Sequence, residues 1–188
     1  MNTLVVQGRG VAKPADFTPQ SKRQYFCDIV QGDVSNDVRL ENSLSVAAGS
    51  WAPTGSIVYA DKAVAIPGSG PSSAAATTVV VPQIVTVGTE NGNVTSEFGN
   101  SGCGLITAVP LDAKNVILTT VYDASATYTV GGMLTVKKIS FNGNEVYAVA
   151  PAAAKTDLIV GIVEAAPAMT HYEVKGILFK AYFQPKAA

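Results

Sequence analysis

One histidine, His171, and two cysteines, Cys27 and Cys103, are all the imidazole and thiol chemistry in these 188 residues. Two cysteines so far apart make neither a metal knuckle nor a redox pair. The HExxH, CxxC, GxSxG and P-loop patterns are missing. Charge is scarce as well: 14% of residues are charged and the net charge is −1, where a soluble domain carries about a quarter. So weak a field argues against electrostatic capture of nucleic acid. No segment reaches the ~20 apolar residues that span a membrane. The opening MNTLVV has no basic region ahead of a long apolar one, so no secretory leader is expected. No window sustains a 3.6-residue apolar period, which argues against helices.

What the chain does have is Val, Ile, Thr and Ala in short runs separated by Gly, Pro, Asn and Ser, with 47% hydrophobic residues overall. That pattern predicts a mainly β protein, a small β-barrel or β-sandwich body with an irregular, extended N-terminal segment. Residues 1–55 read as an arm or loops with one short strand. Residues 56–188 read as the β-rich body. IVYADKAVAI (57–66) reads as a hairpin turning at Asp61-Lys62, or as a strand with a solvated face. PGSGPSSAAA (67–76) is the best linker candidate, a module boundary or a long surface loop. TTVVVPQIVTV (77–87) reads as a strand that is an edge, broken or bulged at Pro82. Three further strands are expected between residues 104 and 139, with Gly131-Gly132 a bulge or bend. Asn142-Gly143-Asn144 reads as a hairpin turn, EVYAVA (145–150) as a strand, and PAAAKT (151–156) as a spacer with room for one helical turn. DLIVGIVEA (157–165) and EVKGILFKAYF (173–183) complete the body. In the last run Ile177, Phe179, Ala181 and Phe183 share a parity with Glu173 and Lys175, so one face starts exposed and ends covered. The expected core is Leu118, Leu134, Val136, Val146, Ile159, Ile162, Leu178 and Phe179.

Chemical constellations are thin. His171 has Asp123, Asp157 and Glu164 as conceivable partners, with no spacing that selects one; a surface or interface histidine is the better reading. Asp33, Asp37 and Glu41 would share a face only in a helix, and no EF-hand-type loop is present. No metal or cofactor is therefore expected, and no enzymatic activity. Trp51 reads as a local anchor, with stacking on a sugar the sharper alternative. Tyr122, Tyr128, Tyr147, Tyr172 and Tyr182 could together decorate a binding face. Both cysteines are expected to be reduced. The one dense basic cluster, Lys22-Arg23, stands beside Tyr25 and Phe26. These four are the candidate interface residues. They read as a loop docked on the body, or as an arm that buries its aromatics on a neighbour. On the second reading, residues 8–50 contact other subunits, and removing residues 1–50 leaves a folded body.

The stretch from about residue 127 to 183 (TVGGMLTVK, VYAVAP, KTDLIVGIVEAAP, then a final apolar strand) resembles the small β-barrel cement or decoration proteins of tailed-bacteriophage capsids. The corresponding elements are Gly132 to Val136 and the hydrophobic-Val-Gly-hydrophobic run from Ile159 to Ala165. The resemblance implies a structural virion protein, made in the host cytoplasm, that binds the outer face of an icosahedral shell. Its partner would be the major capsid protein and its form a trimer or dimer, with neither nucleic acid nor membrane as partner. The family has no active site, so no catalytic residue carries over. A tail-tube or head-fibre subunit and a carbohydrate-binding β-sandwich are the competing readings. An enzyme built on His171 is the weakest.

Overall fold

The computed structural model describes residues 4–5, 11–12, 27–31, 43–47, 50–71, 77–86, 100–101, 105–112, 114–141, 143–170 and 174–187. Among these the protein is mainly β, with no helix. Two small antiparallel pairs join β1 (Leu4–Val5) to β2 (Val11–Ala12), and β5 (Trp51–Ala52) to β9 (Asn100–Ser101). The body has two larger parts. One is a closed barrel of β4 (Ser43–Val46), β6 (Ile57–Asp61), β7 (Val64–Pro67), β8 (Gln83–Thr86) and β10 (Leu105–Pro110). The other is a six-stranded sheet. It comprises β3 (Cys27–Gln31), β11 (Val116–Thr119), β12 (Met133–Phe141), β13 (Asn144–Pro151), β14 (Ile159–Met169) and β15 (Lys175–Gln184), in the order β13-β12-β14-β15-β11-β3.

Alternation along β6 and β8 explains how the two parts share a body. Ile57 and Ile84 are partners across these strands, and both join the core under the sheet with Ile117, Leu134, Ile177 and Phe179. Their sequence neighbours Val58 and Val85 belong to the barrel's own core with Val46, Ala65, Ile106 and Ala108. A strand buried on both faces reads as an unbroken apolar run rather than an alternating one, which is how IV and IVT stand in β6 and β8.

Several local readings hold. Asp61 and Lys62 lie at the β6–β7 hairpin, where Lys62 takes a positive φ of 57°. Phe141 and Asn144 are partners, so β12 and β13 join through a two-residue turn whose Gly143 has φ 81°. On β15 the parity holds: Lys175 is exposed, Ile177, Phe179 and Ala181 are buried, and Phe183 is half-buried. Of the expected core, Leu134, Val146, Ile159 and Phe179 are buried. Leu118, Val136, Ile162 and Leu178 are only half-buried.

Other expectations are narrowed or corrected. The strand expected over residues 77–87 is broken at Pro82, one of the readings given for it, and runs only from Gln83 to Thr86: Pro82 has no N–H for a ladder, and its carbonyl accepts from the Leu111 amide at 3.0 Å. Gly131-Gly132 is neither bulge nor bend inside a strand but part of the turn before β12. The Gly132 amide donates to Thr129 O at 2.9 Å and Gly131 has φ 81°, as a type II turn requires. The spacer after Pro151 forms no helical turn. Asp157 Oδ2 accepts from the amides of Ala153 and Ala154, both at 2.9 Å, and that side-chain bond competes with helical pairing. The strands before and after the 67–76 stretch, β7 and β8, both flank β6 in one barrel. Residues 1–50 also contribute strands to both parts of the body. Within that stretch β3 extends the sheet by pairing with β11, and β4 sits between β10 and β7, closing the barrel. Cys27 is fully buried.

Candidate functional site

Residues 120–132 connect β11, near one edge of the sheet, to β12 beside the other. On the way this strap meets the outer edge of β13: Tyr122 bridges Val149 in parallel, and the Asp123 amide donates to Val149 O at 3.0 Å. Its side chains divide between the two sides of the sheet. Tyr122 joins the main core, whereas Val121 packs with Val146 and Ala148, flanked by Ile139 and Phe141. Tyr128 meets Tyr122 edge to face, with centroids 5.7 Å apart, a favoured aromatic geometry.

Asp123 is the polar centre of the strap. Its side chain is 8% exposed. Oδ2 lies 2.6 Å from Lys137 Nζ on β12, and Oδ1 accepts from Ser125 Oγ at 2.5 Å and from the Ser125 amide at 3.1 Å. The Asp123 carbonyl accepts from Tyr128 OH at 2.9 Å. The Lys137 ammonium and then the Ser125 hydroxyl hold the carboxyl below the usual range, against the opposing effect of burial. Burial raises the Tyr128 phenol well above its ordinary value, and the Asp123 charge raises it further. Burial also raises Tyr122. Between the strap and β12 lies an open cleft of about 350 Å³, lined by Tyr122, Asp123, Ser125, Lys137, Ile139 and Phe141, among others. Lys138, which also lines the cleft, pairs with Glu145 across β12 and β13 at 2.5 Å, both side chains being exposed. The Glu145 carboxylate raises the Lys138 pKa.

An ionised carboxylate with both oxygens engaged by an ammonium and a hydroxyl is suited to holding two chain segments together. As a base it would have to break those bonds first. The Asp-Ala-Ser spacing is a sequence signal for such a turn, since Asp accepts from the amide two residues on. Nothing local announces Lys137, which only strand pairing brings near.

The other candidates are not gathered here. Lys22, Arg23, Tyr25 and Phe26 lie outside the described residues, as do His171, Tyr172, Cys103 and the Asp33, Asp37, Glu41 trio. Trp51 is described as part of β5, without its side chain. Asp157 holds its own turn and Glu164 is exposed on β14. Of the described tyrosines, Tyr122 and Tyr128 on the strap and half-buried Tyr147 on β13 pack on the main core, whereas Tyr182 is exposed on β15. Among the described residues no group of His, Cys, Asp or Glu is placed to hold a metal ion. Among the described residues no helix is long and apolar enough to cross a membrane. No protein-family model, no curated protein and no solved structure matches the chain.

Proposed function

We propose that the chain is a structural protein of a virion. It binds the outer surface of an icosahedral capsid and stabilises it, with the major capsid protein as partner and a trimer or dimer as its working form. The observation that carries this reading is the outer end of β14. That strand pairs with β12 only at Gly161 and Ile162 but continues beside β15 as far as Met169. Its end presents Ala166, Ala168 and Met169, all exposed and uncharged, with Met169 65% exposed. Uncharged surface of this kind, on a rigid β body, suits contact with another protein. The resemblance around Ile159 to Ala165 covers the same strand. Lys22, Arg23, Tyr25 and Phe26 supply a second point of attachment, and two weak contacts on one body make a tight one.

The test mixes purified chain with capsids that lack it and follows sedimentation and shell melting. Saturable binding at a fixed ratio, with a raised shell melting temperature, is expected. Spontaneous rings or tubes without shells would point to a tail-tube subunit instead. No binding to any shell would end the proposal.

A further inference from the structure

We infer that residues 120–128 are a carboxylate-latched guard on the outer edge of β13, holding it against pairing with other chains and releasing it when Asp123 loses its charge. The outermost strand of a sheet offers unpaired backbone groups to any passing strand, and proteins cover or blunt such edges. β13 is the outermost strand on its side of the sheet. The strap covers it at Val149, through the Tyr122 bridge and the Asp123 amide. Val121 and Tyr122 grip the two faces of the sheet at that point. What ties the strap to the sheet by charge is the single contact from Asp123 to Lys137, since the Ser125 and Tyr128 bonds to Asp123 stay within the strap itself.

The groups facing Asp123 are Lys137 from β12, Ser125 and the phenol of Tyr128 from the strap, with Tyr122 beside them. Lys138 and Glu145 pair with each other at the cleft. The sign follows from the lowered carboxyl. Its contribution is fully present above the unfolded value of about 3.9 and is lost as pH falls through the lower folded value. Tyr128 is neutral throughout that window. Acid therefore loosens the strap only once Asp123 itself is protonated, below the ordinary carboxylate range.

Hydrogen exchange on the intact chain tests this. The Asp123 and Ser125 amides report the strap and the Phe179 amide reports the buried sheet. As pH falls, after correction for intrinsic exchange, the strap amides should lose protection while Phe179 stays protected. Lys137→Met keeps the stem of a side chain that is 58% exposed and so leaves the fold intact. It removes the charged tie itself, so the strap amides should already be less protected at neutral pH than in the unaltered chain, and acid should no longer be needed to open them. Light scattering should show larger species appearing in each protein under the conditions at which its own strap amides open. An opening pH that Lys137→Met leaves unchanged overturns the latch. Strap amides that open only with Phe179 overturn it equally, and opening without association overturns the guard.

Discussion

Gly161 lies where the ring of Phe179 crosses β14. A Cβ there would stand 2.5 Å from Phe179 Cδ2 and 3.1 Å from the Lys180 carbonyl. The ring cannot swing aside, because Phe179 is fully buried among the side chains of the main core. Gly161→Ala should therefore cost about 1–3 kcal/mol, the usual range for overpacking, read as a shift of the denaturation midpoint. Phe179→Ala empties the same place and should cost about 3–5 kcal/mol. Asn115 is a different kind of residue. It is 1% exposed, and neither side-chain amide atom has a hydrogen-bond partner. An unmet buried polar group costs roughly 1–3 kcal/mol, so the near-isosteric Asn115→Leu should raise the melting temperature. A lower value would show that the amide is satisfied in solution.

At the scale of elements, the β12–β13 hairpin and the strap behave differently under substitution. Gly143 has φ 81° and nothing within 4 Å of an added Cβ, so Gly143→Ala carries backbone strain alone, about 1–2 kcal/mol. Gly132 has no such φ, yet its Cβ would meet Thr129 O at 2.8 Å inside the turn. A backbone oxygen cannot give way as a side chain can. Gly132→Ala should thus disturb the junction of strap and β12, seen as lost protection of the Val163 amide, which donates to Gly132 O at 2.9 Å. The hairpin was legible beforehand because Asn-Gly chemistry is local. The strap was not, because its meaning depends on β13 lying at the sheet's edge.

For the whole molecule, the decisive comparison is between two truncations. Removing residues 1–26 leaves β3 and β4 in place, so the chain should still melt cooperatively. If Lys22, Arg23, Tyr25 and Phe26 form an interface, this truncation should bind its shell less well while keeping its melting temperature. Removing residues 1–50 takes away β3, the neighbour of β11, and β4, which closes the barrel between β10 and β7. It also removes Cys27 and Val46 from the two cores. An open barrel exposes unpaired backbone on both sides of the gap, so this chain should aggregate or lose its cooperative transition. A soluble, cooperative product from the longer deletion would mean that β3 and β4 are dispensable.

The sequence by itself determined the β class, the hairpin turns at Asp61-Lys62 and Gly143, and the inward face of β15, because these depend on backbone chemistry and on a period of two within a few residues. It also marked Gly161 as part of a motif, though not the ring that makes glycine necessary there. Only the tertiary structure decided that the five barrel strands close on themselves, with β4 beside β7 in parallel, and that Ile57 and Ile84 serve the sheet while Val58 and Val85 serve the barrel. It alone brought Lys137 against Asp123. Each of these joins residues far apart in the chain, and such pairings are selected by how whole faces fit together, which no short window of sequence records.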